Sequence, residues 1–298
     1  MLQARYESTT LLLWMNEIVQ GNRTADDSPR WNARPGLPFG LLVLATLPFL
    51  FLSLPVLALA WRTIPSGQWI SSLKDPVVTQ ALLLSLGTTF LTLILVVGIG
   101  TPVAYLLARY RFPGYRVVDT VIDLPMVLPP AVAGLALLML LGRRGLLGGI
   151  MESLGITIAF TTTAVILAQA FVSAPFYIRA ARAGFEAVDP TLERVAATLG
   201  ESELGVFFRI TIPLAFPSLI GGAVMAWARA LGEFGATIMF AGNFPGRTQT
   251  MSLAVYTVLE SDLWAALTLA MLLVFLSFIA LITFRAAIGR ATRPTHSS

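Results

Sequence analysis

The sequence predicts an all-α membrane protein with six transmembrane helices, and two observations carry that prediction. Of the 298 residues, 56% are hydrophobic and only 12% are charged, with a mean hydropathy of +0.78, a balance that is wrong for a soluble domain. The chain also contains six mostly apolar runs. Each has the roughly 20 residues that a helix needs to cross a hydrocarbon core about 30 Å thick. We therefore place the chain in a lipid bilayer.

The six runs define a membrane domain with a polar tail at each end. The predicted spans are approximately 37–60, 80–108, 117–141, 156–178, 213–241 and 263–284. The membrane domain is thus 37–284, and the tails are 1–36 and 285–298. The apolar patch at 11–15 is too short for the core of a signal peptide and lacks a basic flank, so we interpret the first segment as a tail.

The distribution of lysine and arginine predicts how the chain is oriented. With six spans both termini lie on one side, and the segments of that side carry fourteen Lys and Arg residues against five on the other. Positive charge concentrates on the cytoplasmic side of membrane proteins. We therefore expect a multi-pass protein of the cell inner membrane, with both termini and the long 179–212 loop in the cytoplasm.

Composition also excludes several kinds of chemistry. The chain has no cysteine and a single histidine, His296, which argues against a metalloenzyme, and we predict neither metal nor cofactor. The only lysine, Lys74, does not end a Gly-rich phosphate loop. The spans lack the His/Asp/Glu or Ser/Lys clusters of an intramembrane enzyme. The remaining classes are a permease that depends on a separate ATPase and a secondary transporter or channel that needs none.

The 179–212 loop contains an ordered segment that is both polar and helical in character. Asp189 and Pro190 form a helix-start signal, and Gly200 is a helix-ending position, so we predict a helix from Pro190 to Leu199 and a second short one over 201–208. Apolar residues recur on the first helix at helical spacing, at Leu192, Val195, Ala196 and Leu199. This face either packs on the chain's own surface or docks in a partner.

The spacing around Gly200 resembles the loop signature of ABC importer permeases, E-A-A-x-x-x-G-x9-I-x-L-P. Ala196, Gly200, Ile210 and Pro213 agree with it. Arg194 and Val195 stand where the Glu and the first Ala belong, Glu193 comes one position early, and Ile212 replaces Leu. In that family the segment is a coupling helix that docks in the ATP-hydrolysing subunit. The resemblance implies these docking residues: Glu193, Arg194, Val195, Ala196, Ala197, Leu199, Gly200 and Glu201.

Three longer stretches indicate which members of that family the chain resembles. "DLPMVLPPAVAGLALLMLLGRRGLLG", "FYIRAARAGFEAVDPTLE" and "ARALGEFGATIMFAGNFPGRTQT" resemble the permease subunit of molybdate importers, with sulfate and tungstate permeases as near relatives; the likeness covers about 75–285. It implies a type I ABC importer permease fold, two permease copies forming a homodimer, two separate ATPase subunits and an extracytoplasmic oxyanion-binding protein. Molybdate, tungstate and sulfate are all tetrahedral dianions, and the sequence does not rank them.

Two charged residues lie within the fifth predicted span. Arg229 and Glu233 stand where a charge costs roughly 2.5–3.5 kcal/mol on insertion scales, so they should face protein or water. At i and i+4 they can neutralise each other on one helix face. They form either a structural ion pair or an element of an anion route. Gly232 and Gly235 permit a close helix approach and make this span our candidate for the axis between two copies, although packing alone explains them as well.

Two further features are candidates for the transport pathway. Pro125, Pro129 and Pro130 interrupt the third span and predict a kink beside the pathway. Near the outer mouth, a run of donors suits a tetrahedral oxyanion, although it is also an ordinary turn composition. These donors are Asn243, Arg247, Thr248, Thr250 and Ser252.

Overall fold

A computed structural model describes residues 39–291, and all the regular structure in that range is helical. The predicted tail 1–36 lies outside the described residues, as do 292–298. The helices are α1 (Phe39–Thr63), α2 (Gln68–Ser72), α3 (Pro76–Arg109), α4 (Tyr115–Val127), α5 (Pro130–Leu141), α6 (Gly148–Ser153), α7 (Thr162–Ala187), α8 (Pro190–Thr198), α9 (Glu203–Val206), a π-helical segment (Phe207–Thr211), α10 (Ile212–Leu231), α11 (Gly235–Ala241), α12 (Met251–Val258) and α13 (Leu263–Ala291).

The described part of the chain contains five helices long and apolar enough to cross a membrane, or six if α4 and α5 count as one broken span. The five are α1, α3, α7, the continuous run Glu203–Leu231 and α13. This confirms the predicted all-α membrane class. The chain divides into two compact units between Pro55 and Val56, within α1. The described residues of the first unit are the apolar helical stretch 39–55, and all the features discussed below belong to the second.

The third predicted span is broken rather than kinked. α4 and α5 meet at 119° across Leu128 and Pro129. Leu128 is extended, as expected for a residue that precedes proline. Pro130 then opens α5, a position where its missing N–H leaves no hydrogen bond unmade.

The fourth span differs from the predicted 156–178 at both ends. Thr161 begins α7 by accepting a hydrogen bond from the Ala164 N–H at 3.4 Å, and the helix continues to Ala187. The continuation is stable despite Arg179 and Arg182, because both arginines pair with Asp119 of α4 at 2.7 Å. Ion pairing therefore extends this helix well into the segment assigned to a loop.

The fifth span ends earlier than predicted. α10 stops at Leu231, Gly232 to Phe234 are not helical, and α11 starts again at Gly235. The prediction of one helix over 213–241 is therefore wrong in its last third. At the other end of the chain, α13 runs to Ala291, into the segment assigned to a tail.

Small residues let α7 pack closely against α10. A Cβ at Gly222 would lie 2.8 Å from the Ala180 Cβ, and one at Gly184 would lie 2.5 Å from the Ser218 Cβ. Such small-residue contacts are how helices approach each other in membranes. α7 is the most buried of the long helices, and it leads directly into α8. The core of the second unit is thus continuous with the segment predicted to dock.

Candidate functional site

α8 is defined by local signals at both ends. Asp189 is extended, and its Oδ1 accepts a hydrogen bond from the Thr191 N–H at 2.8 Å. That bond holds the pKa of the Asp189 carboxyl below its ordinary value. Gly200 has φ +93°, which a residue with a Cβ adopts only with strain. The predicted helix is confirmed, ending at Thr198 with Leu199 as its cap.

The apolar residues of α8 divide between two environments. Ala196 is buried, whereas Leu192, Val195 and Leu199 are 49%, 51% and 82% exposed. These three lie on one side of the helix at spacings of three and four. We call them the α8 stripe. Packing on the chain's own surface accounts for Ala196 only, so the stripe stays available to a partner.

Glu193, predicted to dock, instead faces its own chain. Its Oε1 accepts hydrogen bonds from Arg109 Nη2 and from the Thr211 hydroxyl, both at 2.7 Å. Arg109 Nη2 also donates to the Val188 carbonyl at 3.1 Å. Glu193 thus anchors α8 to the last residue of α3 and to the π-helical segment.

The remaining predicted docking residues lie on the outer side of the segment. Arg194, Ala197 and Gly200 are exposed. Glu201 pairs with Arg209, whose side chain is 74% exposed. The predicted second helix over 201–208 is observed as α9 followed by the π-helical segment.

The Arg229 and Glu233 side chains do form an ion pair, with Nη2 and Oε2 2.8 Å apart. They do not share a helix face as predicted, because Glu233 lies in the break after α10. Its carboxylate is 1% exposed and also accepts a hydrogen bond from the Ala236 N–H at 2.7 Å. Glu233 therefore compensates the positive charge of Arg229 and satisfies a free donor at the start of α11.

The hydroxyls predicted at the outer mouth are engaged within the chain. Ser252 donates to the Glu233 carbonyl at 2.7 Å and lies 3.1 Å from the Thr250 hydroxyl. Thr248 accepts from the Phe244 N–H at 2.9 Å. Asn243 Nδ2 donates to Thr257 at 2.7 Å. The structure joins Thr250 and Ser252 to the Arg229–Glu233 pair, whereas Asn243 and Thr248 make separate contacts.

A cavity of about 540 Å³ lies among the residues that follow α5 and those around the 242–250 turn. Arg143, Glu152 and Arg247 line it, together with Phe160, which has φ +61°. Within the described chain neither arginine forms an ion pair. Of these cavity residues, only Arg247 was predicted from the sequence to lie near the outer mouth.

The sequence predicts no contact for Arg109 or Thr211. Arg109 counts there only toward orientation, and Thr211 has no predicted role. An arginine at the end of a long apolar span is already explained by its position at the membrane surface, so its position does not reveal a partner within the chain. Nothing local identified that partner, since Glu193 follows 84 residues later.

Comparison with known proteins adds a family and several relatives. Residues 100–293 match the model of the "Binding-protein-dependent transport system inner membrane component" family. The chain is 40% identical over 269 residues to a molybdenum transport system permease protein of Mycobacterium tuberculosis, covering 90% of this chain and 98% of the relative. It is 46% identical over 183 residues to the Escherichia coli K12 protein of the same name, covering 61% and 80%.

A relative with a different printed substrate is also similar. The probable sulfate transport system permease protein of Chlorokybus atmophyticus is 35% identical over 219 residues, which cover 72% of this chain and 77% of the relative. Among solved structures, a chain of a bacterial alginate ABC transporter in complex with a periplasmic protein matches with a TM-score of 0.64 at 16% identity. The match covers 87% of this chain and 96% of that one, and at this identity it shows the fold alone.

Proposed function

The chain belongs to the family of binding-protein-dependent transport system inner membrane components, and from that premise we propose that it carries molybdate into the cytoplasm as the permease subunit of an ATP-driven ABC importer. The observation that carries the proposal is the α8 stripe. Its three apolar side chains are exposed on a short helix with well-defined ends, on a chain that is similar to named molybdenum permeases. Exposed apolar side chains in such an arrangement fit a groove in another protein.

Membership of this family also indicates which proteins the permease works with. ATP hydrolysis belongs to a separate ATPase subunit, because the chain has no Gly-rich loop ending in Gly-Lys-Ser/Thr. Two ATPase copies would each engage one α8, so two permease copies pair about a twofold axis. Because the segments between spans on the outer side are short, an extracytoplasmic protein captures the oxyanion. The excess of Lys and Arg on one set of segments supports a cytoplasmic position for α8 and both termini.

Substitution within the α8 stripe tests the docking role. We expect Val195→Asp to lower the amount of ATPase subunit that co-purifies with the permease by about tenfold, because it places a charge in an apolar contact. Ala187→Asp is the matched control, since Ala187 is also an exposed alanine but lies at the end of α7, outside α8. Equal ATPase retention in the wild type and both variants would contradict docking through the stripe.

Transport itself is tested in proteoliposomes that contain the permease, its ATPase and the loaded binding protein. We expect uptake of radiolabelled molybdate only when ATP is present. Uptake without ATP would instead indicate a secondary transporter. Tungstate and sulfate are added as competitors. The sulfate relative makes sulfate the second candidate, and preferential sulfate uptake would replace molybdate as the substrate.

The structure also sharpens the test for a pair of permease copies. Gly235 is not free for a contact between copies, because a Cβ there would lie 2.7 Å from the Pro130 Cβ of the same chain. Gly232 is exposed, so we expect Gly232→Cys to cross-link two copies under oxidation. Ala236→Cys is the buried control, and the chain has no native cysteine to interfere. If Gly232→Cys stays monomeric, this region is not at the axis.

A further inference from the structure

Three elements that are distant in sequence meet at one carboxylate oxygen. Glu193 Oε1, on α8, accepts from Arg109 at the end of α3 and from Thr211 at the end of the π-helical segment, both at 2.7 Å. We call these three residues the α8 clamp. The π-helical segment continues directly into α10, so the clamp connects α8 to the ends of two membrane spans.

The clamp is shielded from water. The Arg109 and Glu193 side chains are only 13% and 16% exposed, and Thr211 is fully buried. One turn before Arg109, the Tyr105 ring packs edge-on against Phe185 and Phe207, with centroids 5.5 and 4.8 Å apart. An ion pair in such surroundings is screened much less than one on the surface. It therefore resists separation when α8 is displaced.

The clamp is also the main polar attachment of α8 to the rest of the chain. With nine residues, α8 is too short to be stable alone. Its side chains are mostly exposed, and of its apolar residues only Ala196 is buried. Arg109 additionally holds the Val188 carbonyl, immediately before the start of α8. Besides the backbone connections of α8 to α7 and α9, these three side chains therefore link the stripe to α3 and α10.

We infer that Arg109, Glu193 and Thr211 are positioning residues that make α8 move as one body with α3 and α10, so that they set how much transport each hydrolysed ATP produces. This inference rests on the proposed function, because it takes α8 as the docking helix for an ATPase. It assigns Glu193 to transmission inside the permease rather than to the contact with the ATPase. The two hydrogen bonds that Arg109 donates within this arrangement both come from Nη2, and its Nε is buried without a hydrogen-bond partner.

The test compares the clamp with an ion pair that lies within a single helix. Glu193→Gln and Thr211→Val weaken the clamp with little change in shape, and Glu186→Gln is the control, because Glu186 pairs with Arg182 of the same helix, α7. Each variant is assembled with the ATPase and loaded binding protein in proteoliposomes. The measurements are ATPase retention, ATP hydrolysis and the number of oxyanions taken up per ATP.

We expect Glu193→Gln to keep its ATPase subunit and to lower uptake per ATP by about tenfold. Thr211→Val should lower the same ratio less, and Glu186→Gln should leave it unchanged. An unchanged uptake per ATP in both clamp variants would overturn the inference. A loss of ATPase retention with normal uptake per ATP would also overturn it, because that result indicates a docking role for the clamp residues. A wild-type permease that takes up anion without ATP would defeat the proposed function instead.

A covalent replacement separates transmission from simple stability. In a chain without native cysteine, Arg109→Cys combined with Glu193→Cys can be bridged by a short bifunctional thiol reagent. We expect the unbridged double variant to lose uptake per ATP and the bridged form to recover it. Failure of the bridge to restore the ratio, with ATPase retention normal, would count against transmission through this contact.

Discussion

Two of the arginine–glutamate pairs in the described part of the chain, Arg109–Glu193 and Arg229–Glu233, differ in what they join. Arg109 and Glu193 are 84 residues apart, and their contact connects α8 to separate spans. Arg229 and Glu233 are four residues apart, and their contact spans the break between α10 and α11. Both glutamates accept a second hydrogen bond, from Thr211 and from the Ala236 N–H respectively. The same chemistry transmits displacement in one place and stabilises a broken helix in the other.

The largest effect should come from leaving the Glu233 carboxylate without its partner. Arg229→Leu strands a carboxylate that is 1% exposed, so we expect a loss of about 3–5 kcal/mol in the free energy of unfolding. Glu233→Leu should cost less, because Arg229 is 28% exposed and can reach water. Thermal unfolding in detergent measures both variants.

The double variant Arg229→Leu with Glu233→Leu then assigns the role of the pair. It should recover most of the stability and lose about 1 kcal/mol with the hydrogen bond to Ala236. We expect full oxyanion uptake, because the pair neutralises itself and leaves little positive field for a dianion. A stable double variant without uptake would place Arg229 beside the anion route and remove the contrast with the α8 clamp.

An intermediate effect is expected where α11 packs on α5. In Gly235→Ala the new Cβ would lie 2.7 Å from the Pro130 Cβ and 3.1 Å from the Ala131 backbone nitrogen. We expect a loss of about 1–3 kcal/mol from overpacking. Gly232→Ala is the matched control, because its Cβ meets only the Ala228 carbonyl, at 3.8 Å. If the two variants unfold at the same temperature, the start of α11 is not held by this contact.

The smallest effect should come from the exposed Arg209–Glu201 pair, which follows α8 in the chain. Arg209 and Glu201 are 74% and 31% exposed, so Glu201→Gln should change stability by no more than about 0.5 kcal/mol. Glu193→Gln, measured in parallel by thermal unfolding, should destabilise the protein more. Equal shifts would show that burial does not distinguish the two pairs.

Much of α8 could be predicted because its signals are local. Asp189 and Pro190 start the helix, and Gly200 ends it. The direction of Glu193 could not be predicted in this way, because its partners belong to α3 and the π-helical segment. The same holds for Thr250 and Ser252, whose hydroxyls suited an anion until the fold showed them bonded within the chain.

By itself the sequence determined that this is an all-helical membrane protein, where most of its spans lie, and which short segment between them is ordered. The spans depend on the length of each apolar run, and the ordered segment depends on residues within one or two helical turns of each other. Only the tertiary structure decided where the third and fifth spans break, which face of α8 is free, and which carboxylates are buried. Those outcomes depend on helices brought together from distant parts of the chain, since burial and hydrogen-bond partners exist only after packing.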